Sequence, residues 1–300
     1  MFTGCGTALV TPFTRDLYLD EPTFRRLVRR QIQAGIHFLV PCGTTGESPT
    51  LTHTEHLRVV EICLEEAQGK TPVLAGAGGY NTAEVIALAQ ELERMGVQGI
   101  LSVTPYYNKP TAEGVYQHYK AIAASTSLPV IVYNVPGRTN VNVAPDTLVR
   151  LAEIDNIVGV KEASGVISQI VSILNRVPED FTVFSGDDAL TLPMMALGAR
   201  GIISVASNVI PSQMARLAEL CLASDFTAAR ALHRELLPLM EINFIETNPI
   251  PVKASLGQMG LLEPVFRLPL VPPSPENQEK IRALLKSRRI IEGTYAAVRN

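Results

Sequence analysis

The chain has 300 residues, 46% of them hydrophobic and 18% charged, with a formal net charge of -3. That length fits one large domain or two ordinary ones. The composition raises no flag for disorder, collagen or low complexity, and the charge gives no general attraction for phosphate backbones or anionic lipid. A nucleic-acid or membrane-surface role is therefore not expected, and a small-molecule role is.

Cys5, Cys42, Cys63 and Cys221 stand far apart, without a CxxC pair or a dense disulfide framework, which predicts free thiols in a reducing compartment. The N-terminus lacks a basic segment followed by an apolar signal core. The longest apolar runs are short and interrupted by Gly and Pro. A cytoplasmic protein is the expectation.

In chain order, the first strand-like run is Thr7 to Val10, and the helical pattern Glu21 to Gln33 follows it. Further runs are His37 to Val40, Pro72 to Ala75, Gly99 to Val103, Pro129 to Tyr133, Ile157 to Lys161, Phe181 to Phe184 and Gly201 to Val205. Amphipathic segments lie between them, such as Thr54 to Gln68, Thr82 to Met95 and Ala112 to Ser125, with expected caps at Thr52, Asn81 and Thr111. Eight βα units of roughly 25 to 30 residues, with strands apolar on both faces, predict an α/β fold, a (β/α)8 TIM barrel. A doubly wound sheet is the alternative, weakened by the lack of a GxGxxG turn after the first strand.

From about Asp225 the strand signal stops. Ala228 to Met240 and Glu276 to Leu285 read as helices, separated by the Pro-rich stretch Leu268 to Pro275. The expected division is a catalytic barrel over residues 1–224 and a C-terminal helical region over 225–300. The latter is too apolar at Ile242 to Ile245 to be a loose tail.

Barrel enzymes carry their chemistry at the C-terminal ends of the strands. Of seven lysines, only Lys161 closes a strand-like run; Lys70, Lys120, Lys280 and Lys286 read as solvated surface, and Lys109 and Lys253 lie beside prolines without a clear role. Alternation places Ile157, Gly159 and Lys161 on one face, with space beside the lysine stem at Gly159. A neutral lysine amine is a carbonyl nucleophile, and burial helps to release it from its proton. Pairing with Glu162, or reach into solvent, is the competing explanation.

Tyr133 closes the fifth run and can carry protons there or simply fill core space. The turn Gly43 to Ser48 offers two hydroxyls to a carboxylate, or else only caps a helix. Arg138, in the loop after the fifth run, can grip a carboxylate with two parallel hydrogen bonds or stand exposed. His53 and His56 lie three apart without a third ligand at fitting spacing, so no metal site is expected. Walker A and GxSxG motifs are absent.

Five ordered motifs change the balance: Gly43-Thr44-Thr45-Gly46-Glu47, Thr104 to Pro110, Tyr133 to Thr139, Gly159 to Ser164 and Ser185-Gly186-Asp187-Asp188. With Asn248 to Lys253 in the tail, they resemble the 4-hydroxy-tetrahydrodipicolinate synthase family of the pyruvate-dependent aldolases over nearly the whole chain. The resemblance implies a lyase of lysine and diaminopimelate biosynthesis. Lys161 would form a Schiff base with pyruvate, and the enamine would attack L-aspartate 4-semialdehyde. It also implies a proton relay of Thr44, Tyr107 and Tyr133, with Tyr107 reaching into a neighbouring subunit, and substrate contacts at Thr45, Arg138, Gly186 and Ile203. No cofactor is implied, and a homotetramer built from two dimers is.

Ser48, His53, His56, Glu84 and Tyr106 match positions associated in the family with inhibition by lysine. The match is incomplete, because Tyr80 replaces the usual asparagine and Pro49 a usual alanine. A sister enzyme, N-acetylneuraminate lyase or a 2-oxo-3-deoxy sugar acid aldolase, would share Lys161 and Tyr133 but generally lack Arg138. A non-catalytic 2-oxo-acid-binding barrel would not need the proton relay.

Overall fold

The computed structural model describes residues 2–292. Eight parallel strands are β1 (Gly4–Ala8), β2 (Phe38–Val40), β3 (Leu74–Gly76), β4 (Gly99–Val103), β5 (Val130–Asn134), β6 (Ile157–Glu162), β7 (Thr182–Ser185) and β8 (Gly201–Ser204). They are hydrogen-bonded in the order β2-β1-β8-β7-β6-β5-β4-β3. A parallel bridge between Leu39 and Val73 joins β2 to β3 and closes the ring. Helices follow the strands on the outside, so both faces of each strand are covered and the strand residues are almost all buried.

Two apolar layers result. Val130, Val132, Val160, Val183 and Ile202 face the helices, and Val40, Leu74, Leu101, Ile131, Phe184 and Ile203 fill the barrel. Phe2, Phe38 and Phe184 stack edge to face inside, with centroids 5.2 and 5.6 Å apart. Gly6 on β1 makes room for them, since a Cβ there would lie 2.1 Å from the Phe38 ring.

The predicted strands are found within a few residues. β1 starts at Gly4 instead of Thr7, because glycines weaken a strand signal although this packing requires them. One expectation is corrected: Ile157 does not share a face with Lys161. The register shifts between Val130/Ile131 and β6, so Ile157 packs among the helices while Val158 lies against the barrel interior. Gly159 and Lys161 pair with Ile131 and Tyr133 as the alternation predicts.

The helices Glu21–Gln33 and Thr82–Met95 have the predicted bounds, and His53–Ala67 and Ala112–Ala124 differ by one residue. Thr52, Asn81 and Thr111 each cap their helix through the side chain, Thr52 in a reciprocal box with Glu55. Beyond the barrel lie helices Phe226–Glu241, Ile250–Gln258 and Pro275–Ser287. Their Leu236, Met240, Val252, Leu256 and Ile281 join the same apolar layer as the barrel helices. All four cysteines are buried and free. No helix among the described residues is long and apolar enough to cross a membrane.

Candidate active site

Lys161 stands near the C-terminal end of β6 and is only 5% exposed. Its register partner on β5 is Tyr133, and its Nζ lies 4.2 Å from the centre of that ring. Glu162, next in sequence, takes the opposite face. Its carboxylate accepts from Asn134 Nδ2 at 2.9 Å and from the Ser164 amide at 2.8 Å. Burial pushes the Glu162 carboxyl above its ordinary range. Lys161 forms no salt bridge with Glu162 or any other carboxylate among the described residues.

Gly186, just past β7, closes the other side of the lysine. A Cβ there would sit 3.2 Å from Lys161 Cε and 2.6 Å from Ala163 Cβ, so only glycine leaves the stem its place. Ile203 on β8 is fully buried in the inner layer with Tyr133. Behind it, buried Asp188 accepts from Ser204 Oγ at 2.5 Å and from the Val205 and Ala206 amides. Burial lifts its carboxyl to about 6.

After β2 the chain makes a tight turn, Thr44–Gly46, ending at Glu47 with a left-handed φ of 54°. Thr45 is buried, and its Oγ1 accepts from Asn248 Nδ2 at 2.9 Å. Glu47 is wholly buried and pairs at 2.5 Å with Lys253, also wholly buried, which donates a second bond to the Val265 carbonyl. Arg138, in the short helix Pro136–Thr139 after β5, is anchored by Nη2 donating to the Asn248 carbonyl at 2.8 Å.

Thr44, Tyr133 and Arg138 line one cavity of about 310 Å³. Ser48, His56 and Tyr106 line it too. His53 and Glu84 instead line an adjacent cavity of about 400 Å³ with Asn81, and the two share Gly78 and Leu88. His53 contacts Glu91 at 2.8 Å, and His56 the Gly76 carbonyl at 2.9 Å, where burial lowers its imidazole to about 4. Tyr106 packs edge to face on Tyr80. Tyr107 joins none of this: it is 86% exposed. No group of three or more His, Cys, Asp or Glu is placed to hold a metal among the described residues.

Sequence reasoning places Glu47, Asn134, Glu162, Asn248 and Lys253 within its motifs but gives none of them a role in the site, Glu162 standing only as a competing partner of Lys161. The tail motif Asn248 to Lys253 was the available signal, two polar residues in an otherwise apolar stretch. The turn that holds both its ends, at Thr45 and Glu47, lies more than 200 residues away.

A buried lysine and a tyrosine at adjacent strand ends, with hydroxyl and guanidinium groups around a small cavity, define a barrel equipped for carbonyl chemistry on an acid. The dihydrodipicolinate synthetase family model matches residues 1–288. A 4-hydroxy-tetrahydrodipicolinate synthase from Chloroherpeton thalassium is 53% identical over 98% of each chain. The crystal structure of dihydrodipicolinate synthase from Aquifex aeolicus superimposes with a TM-score of 0.95 at 44% identity, covering 98% of this chain and all of that one. A chloride-inhibited dihydrodipicolinate synthase from Acinetobacter baumannii, complexed with pyruvate, gives 0.95 at 42% identity, covering 97% and 100%. The chain belongs to the dihydrodipicolinate synthetase family.

Proposed function

We propose that this chain acts as a 4-hydroxy-tetrahydrodipicolinate synthase, a lyase that condenses pyruvate with L-aspartate 4-semialdehyde. The observation that carries this is Lys161, buried at a strand end against Tyr133 and free of any carboxylate partner among the described residues. The lysine amine adds to the pyruvate carbonyl and water leaves, giving a protonated imine. Loss of a methyl proton gives the enamine, whose carbon attacks the aldehyde. The semialdehyde's own amine then displaces Lys161 and closes the ring. The imine is the electron sink, so Lys161 is the nucleophile and Tyr133 with Thr44 relays protons. Thr45 donates to the pyruvate carboxylate, with Gly186 and Ile203 as walls, and Arg138 takes the semialdehyde carboxylate.

Tyr107 completes the relay from a neighbouring subunit in a homotetramer, a role its 86% exposure favours, since it is not engaged within its own chain. The catalytic barrel spans 1–224 and the helical region 225–300 braces it, with residue 1 and residues 293–300 lying outside the described residues. The work is done in the cytoplasm, in lysine and diaminopimelate biosynthesis. Lysine inhibits from the second cavity, at His53 and Glu84, with Ser48, His56 and Tyr106 connecting it to the first.

Steady-state turnover tests the whole proposal. Pyruvate is consumed with L-aspartate 4-semialdehyde and not with N-acetylmannosamine, and saturating lysine lowers the rate. Consumption with the sugar alone makes the chain a sister lyase, and a rate unchanged by lysine removes the inhibitory site.

A further inference from the structure

Asn248 is buried and belongs to the C-terminal helical region, yet it touches both groups assigned to carboxylates. Its side chain donates to Thr45 Oγ1 at 2.9 Å, and its backbone carbonyl accepts from Arg138 Nη2 at 2.8 Å. The segment is pinned five residues later, where Lys253 is paired with Glu47 on the same turn as Thr45. Lys253 sits in an apolar box, 4.5 and 5.1 Å from the Phe13 and Phe266 ring centres. Both ends of the tail segment are thus held against the turn after β2.

We propose that Asn248 is a positioning residue whose side chain presets Thr45 as a hydrogen-bond donor to the pyruvate carboxylate. The inference rests on the reading of Thr45 as a pyruvate contact. A hydroxyl carries one proton and two lone pairs. With one lone pair engaged by the Asn248 amide, and Thr45 otherwise buried, the proton is left for an incoming acceptor. A carboxylate is such an acceptor, and a preset donor avoids the cost of reorienting on binding.

The two contacts use different parts of Asn248, which makes the inference separable. Changing the side chain removes the Thr45 bond but keeps the carbonyl that holds Arg138. In Asn248→Ala, the KM for pyruvate and the pyruvate concentration giving half-maximal borohydride trapping both rise about tenfold, the effect of one lost hydrogen bond. The KM for the semialdehyde stays within about twofold, and trapping at saturating pyruvate stays complete. Asn248→Asp is worse, because an acceptor turns the Thr45 proton away and adds like charge beside the anion. Thr45→Val and the double variant Thr45→Val/Asn248→Ala have the same pyruvate KM, since one residue acts through the other.

Unchanged half-saturation in Asn248→Ala, a fall in kcat alone, or multiplying effects in the double variant overturns the inference. Asn248→Ser, too short to span to Thr45, repeats the measurement if the alanine variant does not fold. Failure of the wild type to trap pyruvate at all sinks the underlying reading. Trapping by the wild type with an indifferent Asn248→Ala sinks the inference alone.

Discussion

At the scale of single residues, Lys161 is legible as the one lysine that closes an apolar run, but its strand-end position alone leaves solvent or Glu162 as explanations, and only the ordered motifs turn the reading toward chemistry. What the sequence leaves open is its partner, and the register settles this: Tyr133 beside it, Glu162 turned away to Asn134 and Ser164. Arg138 is legible as a loop arginine, but its anchor on Asn248 is not, because 110 residues separate them. The buried pair of Glu47 and Lys253 escapes sequence reading for the same reason. Arg138→Ala separates the two substrates: the KM for the semialdehyde rises by at least tenfold, since a charge-assisted bidentate grip is lost, while borohydride trapping of pyruvate is nearly unchanged. Steady-state kinetics beside trapping checks this, and equal loss of both removes Arg138 from its role.

At the scale of elements, what is local is legible. The helix bounds and the Thr52, Asn81 and Thr111 caps follow from side chains that bond their own first turn. The helix Ile250–Gln258 was missed, since Asn-Pro-Ile-Pro reads as a breaker; Pro251 falls in the first turn, where an amide proton is not needed. The shift on β6 depends on its neighbour β5 and is invisible in either strand alone.

The tail is also tied to the helix His53–Ala67, through Arg267, whose guanidinium holds both oxygens of Glu55. Arg267 lowers the Glu55 carboxyl from 4.5 to about 2. A carboxyl lowered in the fold stabilises above its unfolded value, so the contribution is present above about pH 4.5 and disappears as pH falls toward 2. Because the pair is partly exposed, with the Glu55 side chain at 22%, solvent screening leaves it roughly 1 kcal/mol. Urea unfolding of the wild type and Glu55→Gln across that window is expected to show a gap that closes as pH falls. A gap constant with pH contradicts the assignment.

At the scale of the whole molecule, eight alternating units predict the barrel because covering both faces of a parallel sheet leaves few other solutions. The role of the helical region was not legible, since its position over the strand ends is fixed by contacts such as Asn248 with Thr45 and Lys253 with Glu47. Tyr107 is 86% exposed, and the part proposed for it needs a second copy of the chain. These features are the ones on which the proposal of Lys161 as the covalent centre rests. The most direct test is borohydride reduction in the presence of pyruvate, followed by intact-mass measurement and peptide mapping, with Lys161→Met alongside. The account predicts one pyruvate-sized adduct per chain, on Lys161, and none in the variant. No adduct in the wild type, or an adduct on another lysine, contradicts it.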